Sequence, residues 1–221
     1  IKSELQVLDG LIDIELRPYV AVLGGAKVSD KLGLVRELSE RVDQLLIGGA
    51  MALTFLNAQG HQMANSMLEP GMEETCLGLI KDCSNIVLPT DLLVETADGS
   101  VEVSGLDIPE GSRALDIGPK STLNFGRLID HGSVVFWNGP MGLFEDDRFT
   151  AGTLGVAVAM SRSLALTVVG GGDSAAAIKK FGLFDSMTHV STGGGASLEY
   201  IEHGDPVGLE ALRKAPNVVG K

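Results

Sequence analysis

The chain has 221 residues, 44% of them hydrophobic and 5% aromatic, enough to bury the core of a single α/β domain. Seventeen basic against 29 acidic side chains give a net charge of −12, which argues against nucleic acid or an anionic membrane as the main partner. No apolar run approaches the roughly 20 residues of a membrane helix, and Cys76 and Cys83 stand without a CxxC pattern or paired histidines, as expected for reduced thiols in a cytoplasmic protein. The first residue is Ile1 and no signal-peptide pattern follows, so the chain reads as a fragment or a processed form.

In chain order, residues 1–17 place Leu5, Leu8, Leu11 and Ile12 at helical spacing, and Pro18 stops the pattern. Residues 19–23 read as a buried strand, followed by Gly24-Gly25-Ala26-Lys27 and a helix over 29–42. A short strand at 45–47 ends in Gly48-Gly49 and opens a helix over 51–58. A helix around 73–83, carrying both cysteines, leads to a strand at 86–88. Residues 95–109 are turn-rich and alternating, which predicts a small surface hairpin.

Residues 114–117 end in Gly118-Pro119 before a helix over 121–130, and the strand at 134–137 closes on Asn138-Gly139-Pro140. A helix over 153–163 feeds a strand at 166–169. The stretch VVGGGDSAAAI (168–178) then turns through Gly170, Gly171 and Gly172 directly into Asp173 and a helix. Residues 187–191 run into Thr192-Gly193-Gly194-Gly195 and a last helix over 196–202. Apolar strands without alternation, separated by helices, predict a doubly wound, Rossmann-like α/β fold of three layers, a parallel sheet covered on both faces. The glycine turns then gather along the carboxyl edge of the sheet, where such folds bind ligands.

Lys27 and Lys31, four residues apart at a helix opening, are predicted to share one face. Cations there oppose the helix dipole by about 0.3–1 kcal/mol each, whereas a charged donor gains about 1.5–3 kcal/mol from a phosphate, so the pair points to an anion. Asp173 serves equally as a helix N-cap or as an oxygen ligand for Mg²⁺ beside a phosphate. The glycines before it leave backbone N–H groups free for an anion, and 192–195 repeats the device, with a tight structural turn as the competing reading. Asn138 and Glu145 read as a turn residue and a surface acid or as ligand contacts, and Trp137 reads as core. Gly170-x-Gly172-x-x-Ala175 approaches a dinucleotide fingerprint but lacks the acid that would bond a ribose. Gly172–Ala176 shares part of a hydrolase nucleophile elbow, with Asp185, His189 and His203 downstream, but lacks its second glycine. There is no GxxxxGK[ST] and no zinc spacing.

Six segments together resemble the phosphoglycerate kinase family, and within it the C-terminal, nucleotide-binding domain: GGAKVSDK (24–31), GGAMALTFL (48–56), LDIGP (115–119), WNGPMGLFE (137–145), GGGDSAAA (170–177) and STGGGASLE (191–199). The resemblance implies residues 1–17 as the end of a preceding domain and the link, 18–205 as the nucleotide-binding domain and 206–221 as a tail. It implies phosphate contacts for Lys27 and Lys31, with Lys31 also steadying the phosphoryl group in transit. Gly25 and Ala26 would lie along the nucleotide. Gly49, Leu68 and Leu115 would line the adenine slot, with Pro140 near the adenosine and Glu145 on the ribose. Asn138 would face the γ-phosphate, Gly171, Gly172 and Ser174 would offer backbone to phosphates, and Asp173 would hold Mg²⁺. Gly193, Gly194 and Gly195 would stabilise charge on the transferring group.

Ala50 departs from the family's third glycine, residues 95–109 form a shorter insertion, and 112–114 and 203–206 also differ. The implied activity is reversible phosphoryl transfer between 1,3-bisphosphoglycerate and ADP, giving 3-phosphoglycerate and ATP. The phosphoglycerate would be held by a domain outside this chain, and the protein is expected to be a monomer. The alternatives are a nucleotide-binding module without turnover of its own and, from the elbow, a serine hydrolase.

Overall fold

The computed structural model describes residue 11, residues 15–191 and residues 193, 198–200 and 202. The expectations for nearly all of the first helix, for Thr192, Gly194 and Gly195, for the start of the last helix, for His203 and for the tail lie outside the described residues. In chain order the elements are β1 (Tyr19–Leu23), α1 (Leu32–Arg41), β2 (Gln44–Ile47), α2 (Gly49–Ala58), α3 (Glu73–Asp82), β3 (Ile86–Val87), β4 (Leu92–Glu95), β5 (Val101–Ser104), β6 (Arg113–Ile117), α4 (Pro119–His131), β7 (Val134–Asn138), α5 (Ala151–Arg162), β8 (Leu166–Gly170), α6 (Gly172–Lys180) and β9 (His189–Val190).

Six of the strands form one parallel sheet in the order β3-β2-β1-β7-β8-β9. The chain runs outward from β1 to β3, returns to the centre and runs outward again from β7 to β9. That reversal is the doubly wound topology, and its switch point lies between β1 and β7. Successive residues of β1 feed opposite faces. Tyr19, Ala21 and Leu23 join Leu34, Leu38, Met51, Phe55 and Leu79 from α1, α2 and α3. Val20 and Val22 join Phe125, Ile129, Val156, Met160 and Ile178 from α4, α5 and α6. Burial on both faces is why YVAVL carries no polar alternation.

One expectation is corrected. The strand predicted at 114–117 does not enter the parallel sheet. It is part of β6, which pairs antiparallel with β4, itself antiparallel to β5, in a separate three-stranded sheet. The predicted hairpin is real but begins earlier, at Leu92, and β4 buries Leu92 and Val94. These side chains pack with Ala114, Ile108, Leu53 and Leu56 in a third core cluster. Helix α2 therefore lies between two sheets, which explains why its residues 51–56 are all buried. Cys76 is buried in α3, while Cys83 caps its end half-buried, and both are free thiols.

Candidate functional site

The turns after β1, β2 and β7 meet at the switch point and are laced through their own backbones. Gly24 N donates to Asn138 O at 2.8 Å and Gly25 N to Pro140 O at 3.1 Å. Gly48 N donates to Leu23 O at 2.8 Å, Gly49 N to Met141 O at 3.0 Å, and Met51 N to Gly25 O at 3.0 Å. A methyl group on Gly24 would lie 2.1 Å from Pro140 O, one on Gly139 2.2 Å from Gly24 O, and one on Gly49 2.6 Å from Gly25 N. These glycines are required by close packing, and the N–H groups of Gly24, Gly25, Gly48 and Gly49 are consumed within the protein.

The turn after β8 differs. Gly171 has φ +88°, a conformation that favours glycine, and a methyl there would meet Asn138 Nδ2 at 2.4 Å. Gly172 is exposed, and a methyl on it would find nothing within 4 Å among the described residues. It is the first residue of α6, followed by Asp173 and Ser174, so three N–H groups of the first turn lie where an α-helix has no internal acceptor for them. Asp173 is exposed at this opening.

Lys31 is brought to the same place by a 3₁₀ turn, Ser29–Lys31, that precedes α1. Its Nζ donates to Gly24 O at 2.6 Å and to Asn138 O at 3.3 Å. Burial lowers its pKa to about 8, against the opposing pull of Asp173 and Asp30. Lys27 lies in the loop before the turn and is exposed, so the two lysines do not share a helix face as their spacing predicts. The 3₁₀ turn breaks the 3.6-residue phase between them.

Asn138 is 2% exposed, and its Nδ2 donates to Gly170 O at 2.8 Å. Its Oδ1 is buried with no partner among the described residues. The Ser174 hydroxyl, 0% exposed, accepts from Gly139 N at 2.6 Å. This buried bond fastens α6 to the β7 turn and keeps Ser174, the serine of the partial elbow, out of reach of a substrate. Trp137 is core, as expected, with Nε1 donating to Gly139 O at 2.7 Å. Gly193 is exposed and its N donates to Ser191 Oγ at 3.2 Å.

Beside this polar crevice opens a mainly apolar cleft of about 260 Å³. One wall is α2 with Gly49, Ala50 and Leu53, the second is the antiparallel sheet with Leu92 and residues 114–117, and the third is the loop 140–145. Gly25, Ala26 and Asp173 join it to the crevice. Seven of the predicted contacts thus line one cleft: Gly25, Ala26, Gly49, Leu115, Pro140, Glu145 and Asp173. Leu68 is not among them. It packs on the third core cluster, and its neighbour Met67, 62% exposed, lines the cleft instead. Glu145 is exposed at the cleft edge on a loop held by Lys180, whose Nζ donates to Phe144 O at 2.9 Å and to Asp147 Oδ1 at 2.8 Å.

Sequence reasoning passed over two acids here. Asp116, 4% exposed, accepts from Gly152 N at 2.7 Å and Ile117 N at 2.9 Å, tying α5 to the cleft wall. Burial pushes its pKa up to about 7, although those two backbone bonds oppose the shift. Glu69 bonds the turn that carries Lys31. Asp116 was signalled only by an acid inside an apolar run, and Glu69 by nothing local. Among the described residues no three His, Cys, Asp or Glu side chains gather to hold a metal by themselves. A divalent cation at Asp173 would need its other oxygens from a ligand and water, which suits Mg²⁺.

These features place the chain among the doubly wound α/β proteins, whose ligands sit outside the carboxyl ends of the strands at the switch point. More narrowly, it belongs to the phosphoglycerate kinase family, whose sequence profile matches residues 1–204. The chain is 50% identical over 216 residues to the phosphoglycerate kinase of Parafrankia sp. (strain EAN1pec), an alignment covering 95% of this chain and 54% of the relative. It is 46% identical to that of Rhodococcus jostii (strain RHA1), with 96% and 55% covered. The structure of phosphoglycerate kinase from Coxiella burnetii superposes with a TM-score of 0.88 at 36% identity, covering 91% of this chain and 54% of that one. The chain spans about half the length of the curated relatives it matches. No helix among the described residues is long and apolar enough to cross a membrane.

Proposed function

We propose that this chain is the nucleotide-binding half of a phosphoglycerate kinase, binding ADP or ATP at the switch-point crevice with the base in the adjoining cleft. The observation that carries this reading is the junction of two unlike spaces. A partly buried ammonium, Lys31, and the open N-terminus of α6 adjoin an apolar cleft walled by Leu53, Leu115 and Met141. Phosphates suit the first and a flat heterocycle the second. Glu145, on the cleft edge, is placed to accept from ribose hydroxyls. The N–H groups of Gly172, Asp173 and Ser174 are offered to phosphate oxygens, and Lys27 reaches them from the loop. Lys31 and the glycines 193–195 are assigned to charge on the phosphoryl group in transit.

Asp173 would hold Mg²⁺ carried by the nucleotide, and the cation would neutralise phosphate charge. The reaction assigned to the whole protein is transfer between 1,3-bisphosphoglycerate and ADP, with the acyl phosphate held by a domain beyond this chain. Alone, the chain is expected to bind MgADP without turning over 3-phosphoglycerate, because positioning of the two reactants can account for roughly 7–11 kcal/mol of a barrier. Calorimetric titration with MgADP tests the binding, with Asp173→Asn expected to weaken it chiefly when Mg²⁺ is present. An unaltered affinity in that variant would remove the metal role. Turnover by the chain alone at the roughly 1–100 per second of kinases would overturn the division of labour.

A further inference from the structure

Glu69 lies outside every motif of the sequence, two residues beyond Met67 on the segment that borders the cleft. Its Oε2 accepts from Val28 N at 2.7 Å and from Ser29 N at 3.1 Å, and its Oε1 accepts from the Ser29 hydroxyl. Its own N–H donates to Thr54 Oγ1 at 3.1 Å, on the buried middle of α2. One carboxylate therefore takes up the two backbone N–H groups that open the 3₁₀ turn of Lys31, and its backbone is anchored to the helix that walls the cleft.

Resting on the nucleotide reading above, we propose that Glu69 is the positioning residue of the phosphate end of the site. It is a strut that fixes the turn bearing Lys31, and with it the end of the loop that carries Lys27, to the wall of the base cleft, so that phosphates and base are registered against one rigid frame.

Three further observations agree. Ser29 and Asp30 are exposed and no residue of the turn is buried, so apart from Val28, which is sunk in the core and accepts from Lys31 N at 3.0 Å, it is this carboxylate that holds the outer backbone of the turn. The strut joins residues about 40 apart in sequence, a separation of 41 for Val28 and 40 for Ser29. Burial disfavours its charge, yet the bonds from Ser29 and Val28 and the proximity of Lys27 together hold the carboxyl below the usual carboxylate range, so it is ionised at neutral pH. An ionised acceptor makes the stronger kind of hydrogen bond. Lys31 cannot reach Gly24 O and Asn138 O unless its turn is held, because a side chain is placed only as well as the backbone beneath it.

The alternative role for Glu69 is purely electrostatic, as a counter-charge to Lys27. The two roles predict opposite signs. A counter-charge competes with phosphate, so removing it should tighten pyrophosphate binding. Removing a strut should weaken it.

The test is calorimetric titration of the 221-residue chain, as wild type, Glu69→Ala and Glu69→Gln, with ADP, pyrophosphate and adenosine, where circular dichroism shows each variant folded. Glu69→Ala is expected to weaken ADP and pyrophosphate by roughly tenfold or more, the scale of a misplaced contact, and adenosine by less than about twofold. Glu69→Gln, whose amide oxygen can take both N–H donors, is expected to recover most of that loss. Equal losses for all three ligands, unchanged or tighter pyrophosphate binding, or a glutamine variant as weak as the alanine one would each overturn the strut while leaving the site reading intact. A wild type that binds neither ADP nor pyrophosphate overturns both. Should Glu69→Ala fail to fold, Ser29→Ala removes only the hydroxyl bond on the exposed turn. It must then show a smaller loss for pyrophosphate than the glutamate change implies but a larger loss than for adenosine, and equal losses would again overturn the proposal.

Discussion

The turns after β1, β2 and β7 and the turn after β8 are written in the same residue, yet they meet opposite surroundings. In the first group the backbones cross at the switch point so closely that Gly24, Gly49 and Gly139 have no room for a Cβ, and their N–H groups are taken up, those of Gly24 and Gly49 by neighbouring carbonyls and that of Gly139 by the Ser174 hydroxyl. In the second, Gly171 is shaped by its φ of +88° and by Asn138, but Gly172 faces open space at the start of a helix. Packing among the described residues explains the first set and leaves Gly172 unexplained. A glycine that the fold does not need, at a helix N-terminus, is the one whose reason lies with a ligand.

Gly139→Ala is the harshest way to probe that contrast. It adds a methyl 2.2 Å from Gly24 O and 2.6 Å from Lys31 Nζ on a residue with φ +90°. Overpacking and left-handed strain together should cost about 2–5 kcal/mol, read as a lowered urea midpoint at unchanged slope. A loss below about 0.5 kcal/mol would show that the crossing is less tight than the distances imply.

Lys31 joins the two groups of turns, bonding Gly24 O while facing Asp173, so it tests whether they act as one site. With the lysine pKa near 8, the ammonium that attracts phosphate is present below that pH and disappears above it. ADP affinity is expected to fall as the pH rises through and beyond the lysine pKa, because bound phosphate favours the charged form. Lys31→Met should bind ADP about 10–100-fold more weakly at neutral pH, the worth of a charged hydrogen bond, and lose the alkaline fall. Persistence of that fall in the variant would assign it to another group.

Gly172→Ala is the gentlest probe and the one that sharpens the comparison most. With nothing within 4 Å of the added methyl, stability should be unchanged or raised by up to about 1 kcal/mol. ADP affinity should fall by about tenfold, or about 1.4 kcal/mol. Unaltered ADP binding would mean that no ligand comes close to that backbone, and the distinction between the two kinds of glycine turn would lose its functional half.

Much of this was legible in the sequence. Residues 19–23 were delimited as they occur, because five apolar residues between Pro18 and a double glycine leave a strand no other extent. Five of the six parallel strands end in or just before glycine, asparagine or serine, β3 running instead into Leu88-Pro89, and those marks also locate the crevice. The reading failed where one residue pattern serves two neighbours. Residues 114–117 carry the same apolar run and Gly-Pro ending as a parallel strand, and only the pairing of β6 with β4 shows that they wall the cleft from a second sheet. Lys27 and Lys31 looked like one helix face until a 3₁₀ turn shifted the phase. Met67, and not Leu68, lines the cleft, because a loop has no periodicity from which to read its inward side.

By itself, then, the sequence determined the strands and helices of the parallel sheet and where the chain must turn, though not the start of β4 or the 3₁₀ turn before α1, since the former follow from local apolar periodicity and from glycine. The order of strands, which N–H groups stay free and which acid braces which turn were decided only in three dimensions. Those properties belong to pairs of residues far apart in the chain, such as Gly139 against Gly24 and Glu69 against Val28, and no local pattern records a distance between them.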